Sequence, residues 1–93
     1  ESYIELNKLA EYLRRHPTLS IQINGHSDKT GLKYKNLKMS EKRAREVFEY
    51  LITKGVQNKM KFKGFGSEFP IAPNDTPINM AKNRRVEFEV LKK

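Results

Sequence analysis

Apolar residues in this chain recur at two spacings that take turns along its length, and that alternation limits the folds open to it. In "SYIELNKLAEYLRRHP" Leu6, Leu9, Ala10 and Leu13 return every three or four places, which gathers them on one side of a helix. Pro17 ends the pattern after His16, because a proline disfavours helical backbone in the residue before it. Leu19, Ile21 and Ile23 then alternate with Ser20, Gln22 and Asn24, the period of a half-buried strand, and Gly25 breaks it. Residues 26–38 read as a loop. From Ser40, an N-cap followed by Glu41 in the first turn, Ala44, Val47, Phe48 and Leu51 make a second helical stripe, closed by Gly55 at a C-cap position. Met60 and Phe62 alternate with Lys61 and Lys63 as a second strand, and "SEFPIAPNDTPIN" carries turn chemistry throughout. Val86, Phe88 and Val90 alternate with Glu87, Glu89 and Leu91 as a third strand.

The resulting order is αβαββ. A chain of 93 residues can enclose one modest core, so residues 1–93 are expected to form a single domain. Each helix offers one apolar stripe and each strand one apolar side, which predicts an α+β fold with two helices on one face of a small mixed, mostly antiparallel sheet. Three strands make a small sheet and the first helix begins almost at the first residue, so a further strand ahead of Glu1 is expected.

Hydrophobic residues make up 37% and charged residues 32% of the chain, a balance that supports a folded, water-soluble domain. No apolar run approaches the roughly 20 residues needed to span a bilayer. The start "ESYIELNKLA" lacks the basic and apolar regions of a signal peptide, so any export signal or anchor is expected in a longer parent. With no cysteine, disulfides and thiolate metal sites are excluded. The formal charge of +8 draws the domain toward polyanions: nucleic acid, anionic lipid or an acidic wall polymer.

Asp28 lies beyond a strand end among Gly25, Ser27, Thr30 and Gly31, where small neighbours let backbone N–H groups approach a ligand. It reads either as a turn aspartate bonding its own loop or as a ligand group. His26 has only His16 as a second histidine and one nearby aspartate, which makes no triad, so its reading is structural. Arg43 borders the second stripe, with its guanidinium either in water or on a ligand. Arg84 shares the parity of Val86, Phe88 and Val90. Either the strand starts later than Arg84 or an anion meets the guanidinium on the core side. Converging in one cleft, Asp28, Arg43 and Arg84 would suit a zwitterion, because an arginine clasps a carboxylate through two parallel hydrogen bonds.

Four ordered blocks, "INGHSDKTG", "NLKMSEKRAREV", "GFGSEFPIAPNDT" and "AKNRRVEFEV", together resemble the OmpA C-terminal-like domain over Ile21 to Val90. The resemblance implies a β-α-β-α-β-β fold, in line with a strand ahead of Glu1. It also implies a periplasmic domain that binds peptidoglycan noncovalently through the diaminopimelate of the stem peptide, without catalysis or cofactor. Asp28 would receive the ligand ammonium and Arg43 its carboxylate. Thr30 and Asn36, the latter ahead of the second helix, would add hydrogen bonds, and Arg84 would line the same pocket. Arg85 is assigned to the surface or to packing. Asn79 and Met80 stand where the family often has Gly-Arg, and Met39 where leucine is commoner, so a positive charge is absent from the pocket rim.

Three rivals accompany this reading. A domain of this fold could serve protein interaction or assembly without binding wall. A nucleic-acid module would need aromatic residues on an exposed sheet face, whereas Phe62 and Phe88 fall on the core-facing alternation. An enzyme would need a nucleophile and base, metal-ligand spacing or a phosphate loop, none of which the sequence offers.

Overall fold

The first helical stripe folds as α1 (Tyr3–Arg15), burying Leu6, Ala10 and Leu13, in a computed structural model that describes residues 3–93. The alternating run after Pro17 is β1 (Ser20–Gly25), with Ile21, Ile23 and Gly25 turned to the core. The second stripe belongs to α2 (Lys33–Thr53), followed by β2 (Met60–Gly64), a short α3 (Pro77–Asn83) and β3 (Val86–Lys92). The sheet order is β2-β1-β3, with β1 parallel to β2 and antiparallel to β3. The α+β class and mixed sheet are as expected, and the two ladders are one of each kind.

Two boundaries differ from the sequence reading. Helix α2 begins at Lys33, seven residues before Ser40, so the last six residues of the expected 26–38 loop are helical. Its N-cap, Leu32, makes no side-chain capping bond, which leaves that end without the usual chemical signature. Ser40 is buried inside the helix: its hydroxyl donates to Leu37 O and accepts from the Gly66 amide at 2.9 Å, pinning the loop after β2. Helix α3 also begins within an expected loop, at Pro77, and runs past it to Asn83. Thr76 caps it by accepting from Asn79 N at 3.1 Å and Pro77 opens it, a signature that was legible in "TPIN".

The far end of α2 is where the glycine placed it. Gly55 has φ of 82°, and the Gly55 and Val56 amides donate to Ile52 O and Leu51 O, with Val56 and Leu51 both buried. Leu51, Val47 and Ala44 then meet α1 and β1 in one core, with Phe48 and Phe62 in contact at its β2 edge.

At the other end, Gly25 and Gly64 face each other across β1 and β2. A Cβ on Gly25 would lie 1.9 Å from Ser40 O, and one on Gly64 2.4 Å from the Glu41 amide nitrogen. Both glycines are strand residues whose missing side chains let α2 settle directly on the sheet. Gly25 therefore ends its strand's alternation because a helix backbone occupies the space of a side chain.

Candidate functional site

That close approach sets the position of Arg43, one residue before the fully buried Ala44. Its Nη1 donates to the His26 carbonyl at 2.8 Å, so the guanidinium is tied to the loop beyond β1. His26 is tied in turn: its amide donates to Arg85 O and the following Ser27 amide to Gly66 O, both at 2.8 Å. The His26 ring stacks on Phe65 with centroids 5.5 Å apart and lies 3.7 Å from Glu87 through Nε2. Burial, followed by the nearby Arg85 cation, pulls the imidazole pKa down, and Glu87 opposes them more weakly. The His26 ring is packed into the loop, and its carbonyl holds Arg43 in place.

Two residues on, Asp28 is 8% exposed. Its Oδ1 accepts from the Thr30 amide at 2.8 Å, closing an Asx turn, and its Oδ2 accepts from Arg84 Nη1 at 2.5 Å. Burial pushes its carboxyl up, but the Thr30 hydrogen bonds and the Arg84 guanidinium together outweigh it and hold the group below its ordinary value. Asp28 thus bonds its own turn, the first of its two readings, and also faces the Arg84 cation.

Arg84 settles its own parity question. Strand β3 starts at Val86, so Arg84 is the C-cap of α3, with a side chain 43% exposed, and the anion it meets is Asp28. Thr30 adds its hydroxyl, which donates to Met80 Sδ at 3.6 Å. Asn36 lies inside α2 rather than ahead of it. It stands two turns before Arg43, which places both on one side of the helix, and it makes no hydrogen bond to the other four residues. Arg85 bonds Glu87 at 2.7 Å and Phe69 O at 2.8 Å, and it lines the same cleft as Arg43 and Arg84.

Arg43 and Arg84 both line a cleft of about 530 Å³ between α1, α2 and the start of β3, floored by Leu6, Val47 and Tyr50. Asp28 lies beyond Arg84 and does not line the cleft wall. The arrangement is one buried carboxylate paired with Arg84, while Arg84 and Arg43 both stand at an open hollow. Among the described residues no group of three or more histidine, cysteine or acidic side chains could hold a metal ion. No helix of the structure is long and apolar enough to cross a membrane.

The expected exposure of the last strand needs correction. Phe88 and Val90 face the helix side by register, opposite Ile23 and Ile21, yet they are 37% and 54% exposed, because α2 lies against β1 and β2 and leaves this half of β3 open. Sequence reading took Ser40 for an N-cap and passed over Asn74 and Asn83, and the polar side chains of all three tie the loops around Asp28. Buried asparagine and serine have no periodicity to betray them.

The OmpA family model matches residues 1–84. The peptidoglycan-binding protein ArfA of Mycobacterium bovis is 43% identical over 89 residues, which are 95% of this chain and 27% of that protein. This chain therefore spans about a quarter of that relative's length. Among solved structures, the peptidoglycan-associated lipoprotein of Burkholderia pseudomallei superposes with a TM-score of 0.87 at 34% identity, covering 91% of this chain and 73% of that one. The C-terminal domain of Helicobacter pylori MotB gives the same TM-score at 33% identity, covering 97% and 71%. The family match, the identity over almost the whole chain and the shared fold agree, and the chain belongs to the OmpA family.

Proposed function

We propose that this domain binds peptidoglycan noncovalently by the side-chain end of diaminopimelate in the stem peptide, and so tethers a larger envelope protein to the wall on the periplasmic side. Names among its relatives, peptidoglycan-binding and peptidoglycan-associated, support the coarse reading. The observation that carries the finer one is the unspent bonding capacity of Asp28 and Arg43.

A carboxylate has roughly four lone-pair sites, and the bonds of Asp28 to Thr30 and Arg84 do not fill them all. Arg43 commits Nη1 to a backbone carbonyl, and its remaining N–H groups are available to an anion at the cleft. Diaminopimelate ends in a carbon bearing both an ammonium and a carboxylate. The ammonium completes the shell of Asp28, and the carboxylate takes the donors of Arg43 and shares the positive charge of Arg84. Lysine presents the ammonium alone and leaves Arg43 facing no anion. A site built around a polar group rejects an analogue without it far more strongly than an apolar pocket rejects a missing methylene.

Calorimetry with a diaminopimelate-containing muropeptide and its lysine counterpart tests this. Asp28→Ala and Arg43→Ala should each weaken binding of the former by about 2–5 kcal/mol, because each leaves a charged ligand group without its partner. Equal affinity for the two muropeptides, or for wild type and Asp28→Ala, would leave the domain as an assembly module of the same fold.

A further inference from the structure

The ion pair between Asp28 and Arg84 joins residues 56 apart in the chain, and a second, neutral connection runs behind it. Asn83, the last residue of α3 and the neighbour of Arg84, is completely buried. Its side-chain amide is fully engaged. Oδ1 accepts from Ile71 N at 2.8 Å and Ala72 N at 3.1 Å, while Nδ2 donates to Ala72 O at 2.9 Å and to Asn74 Oδ1 at 3.0 Å. Asn74 Oδ1 also accepts from the amide of Lys29, next to Asp28, at 3.2 Å. The path from Arg84 through Asn83, Asn74 and Lys29 to Asp28 closes a ring around the ion pair.

We infer that Asn74, held by Asn83, is a positioning residue for ligand binding, setting the gap between Asp28 and Arg84 in which the ammonium is received. This rests on the proposed function for what fills the gap, but the ring itself is independent of any ligand. An arginine side chain that is 43% exposed cannot by itself hold a backbone in register, since it pays side-chain entropy and is screened by water. A buried amide with every donor and acceptor used is a stiff connector, because any displacement strands a polar group away from water. Two N–H groups converge on Asn74, so its oxygen is the atom that matters and its amide nitrogen takes no part in the ring.

That single-atom role separates two substitutions at a half-buried position. Asn74→Asp keeps an acceptor of the same shape, and Asn74→Ala removes it. The alanine variant should bind the diaminopimelate muropeptide about tenfold more weakly, the effect of roughly one neutral hydrogen bond, and should also melt lower, because the buried Asn83 amide loses an acceptor. The aspartate variant should stay within about threefold of wild type. The second readout needs no ligand. The carboxyl carbon of Asp28, followed by NMR, should titrate at higher pH in Asn74→Ala than in wild type, because Asp28 is held less firmly against its cationic partner. An unchanged titration in the alanine variant overturns the relay, as does equal loss of binding in both variants. If wild type fails to hold the muropeptide while the Asp28 titration shifts as expected, the diaminopimelate reading fails and the positioning role of Asn74 stands.

Discussion

Ile23 on β1 and Phe88 on β3 are direct cross-strand partners on the same face of the sheet, and so are Ile21 and Val90. On β1 these positions are sealed, with Ile23 at 0% exposure, while Phe88 and Val90 across from them remain open. Both strands alternate equally well. The difference comes from what lies above them: Gly25 and Gly64 draw α2 down over β1 and β2, and neither long helix extends over the outer half of β3. Alternation thus states which face a residue takes, and coverage by another element decides whether that face is a core.

The largest break in this comparison should come from Gly25→Ala. The new methyl would meet the Ser40 carbonyl at 1.9 Å, a backbone atom that cannot swing aside. Overpacking of this kind costs about 3 kcal/mol or more, and urea denaturation should find the variant severely destabilised or unfolded. An unchanged midpoint would mean that α2 does not need this contact.

Ile23→Ala and Val90→Ala probe the two strands at matched chemistry. The first should lose about 2–5 kcal/mol, as buried isoleucines do. The second should lose under about 1 kcal/mol, because a half-exposed valine leaves no cavity. Similar losses in denaturant would show that the outer half of β3 is covered in solution.

The smallest effects are those of acid, and they too belong to the sealed end. His26 has a lowered pKa, so the unfolded chain takes up its proton first. Stability should fall as pH drops below about 6.5, the unfolded value. Asp28 is also lowered. Its contribution is present above about pH 3.9 and is lost as pH falls through the folded value below that. In pH-dependent melting, His26→Gln should flatten the upper window and Asp28→Asn the lower one. Persistence of both windows in both variants would place the acid response elsewhere.

Much of the site was legible before any fold. Asp28, Thr30 and Arg84 are brought into contact and Arg43 reaches the same loop; the loop after β1 and the helix bearing Arg43 were read, whereas Arg84 caps a helix that was not. Asn36 was placed ahead of α2 instead of within it, since a helix that starts at an uncapped leucine announces no beginning. Short α3 went unread amid prolines that also signal turns, although Thr76 and Pro77 together are a helix start. The relay through Asn74 and Asn83 left no trace, because hydrogen bonds between residues distant in the chain have no period.

By itself the sequence determined the period of each main segment, the stop at Gly55 and the residue types able to hold a zwitterion, since these depend on local backbone preference and side-chain chemistry. Only the tertiary structure decided that Gly25 and Gly64 admit a helix, that Arg84 answers to Asp28, and that Phe88 stays half open. Each of those depends on which surfaces come to lie against one another, and short-range spacing carries no information about that.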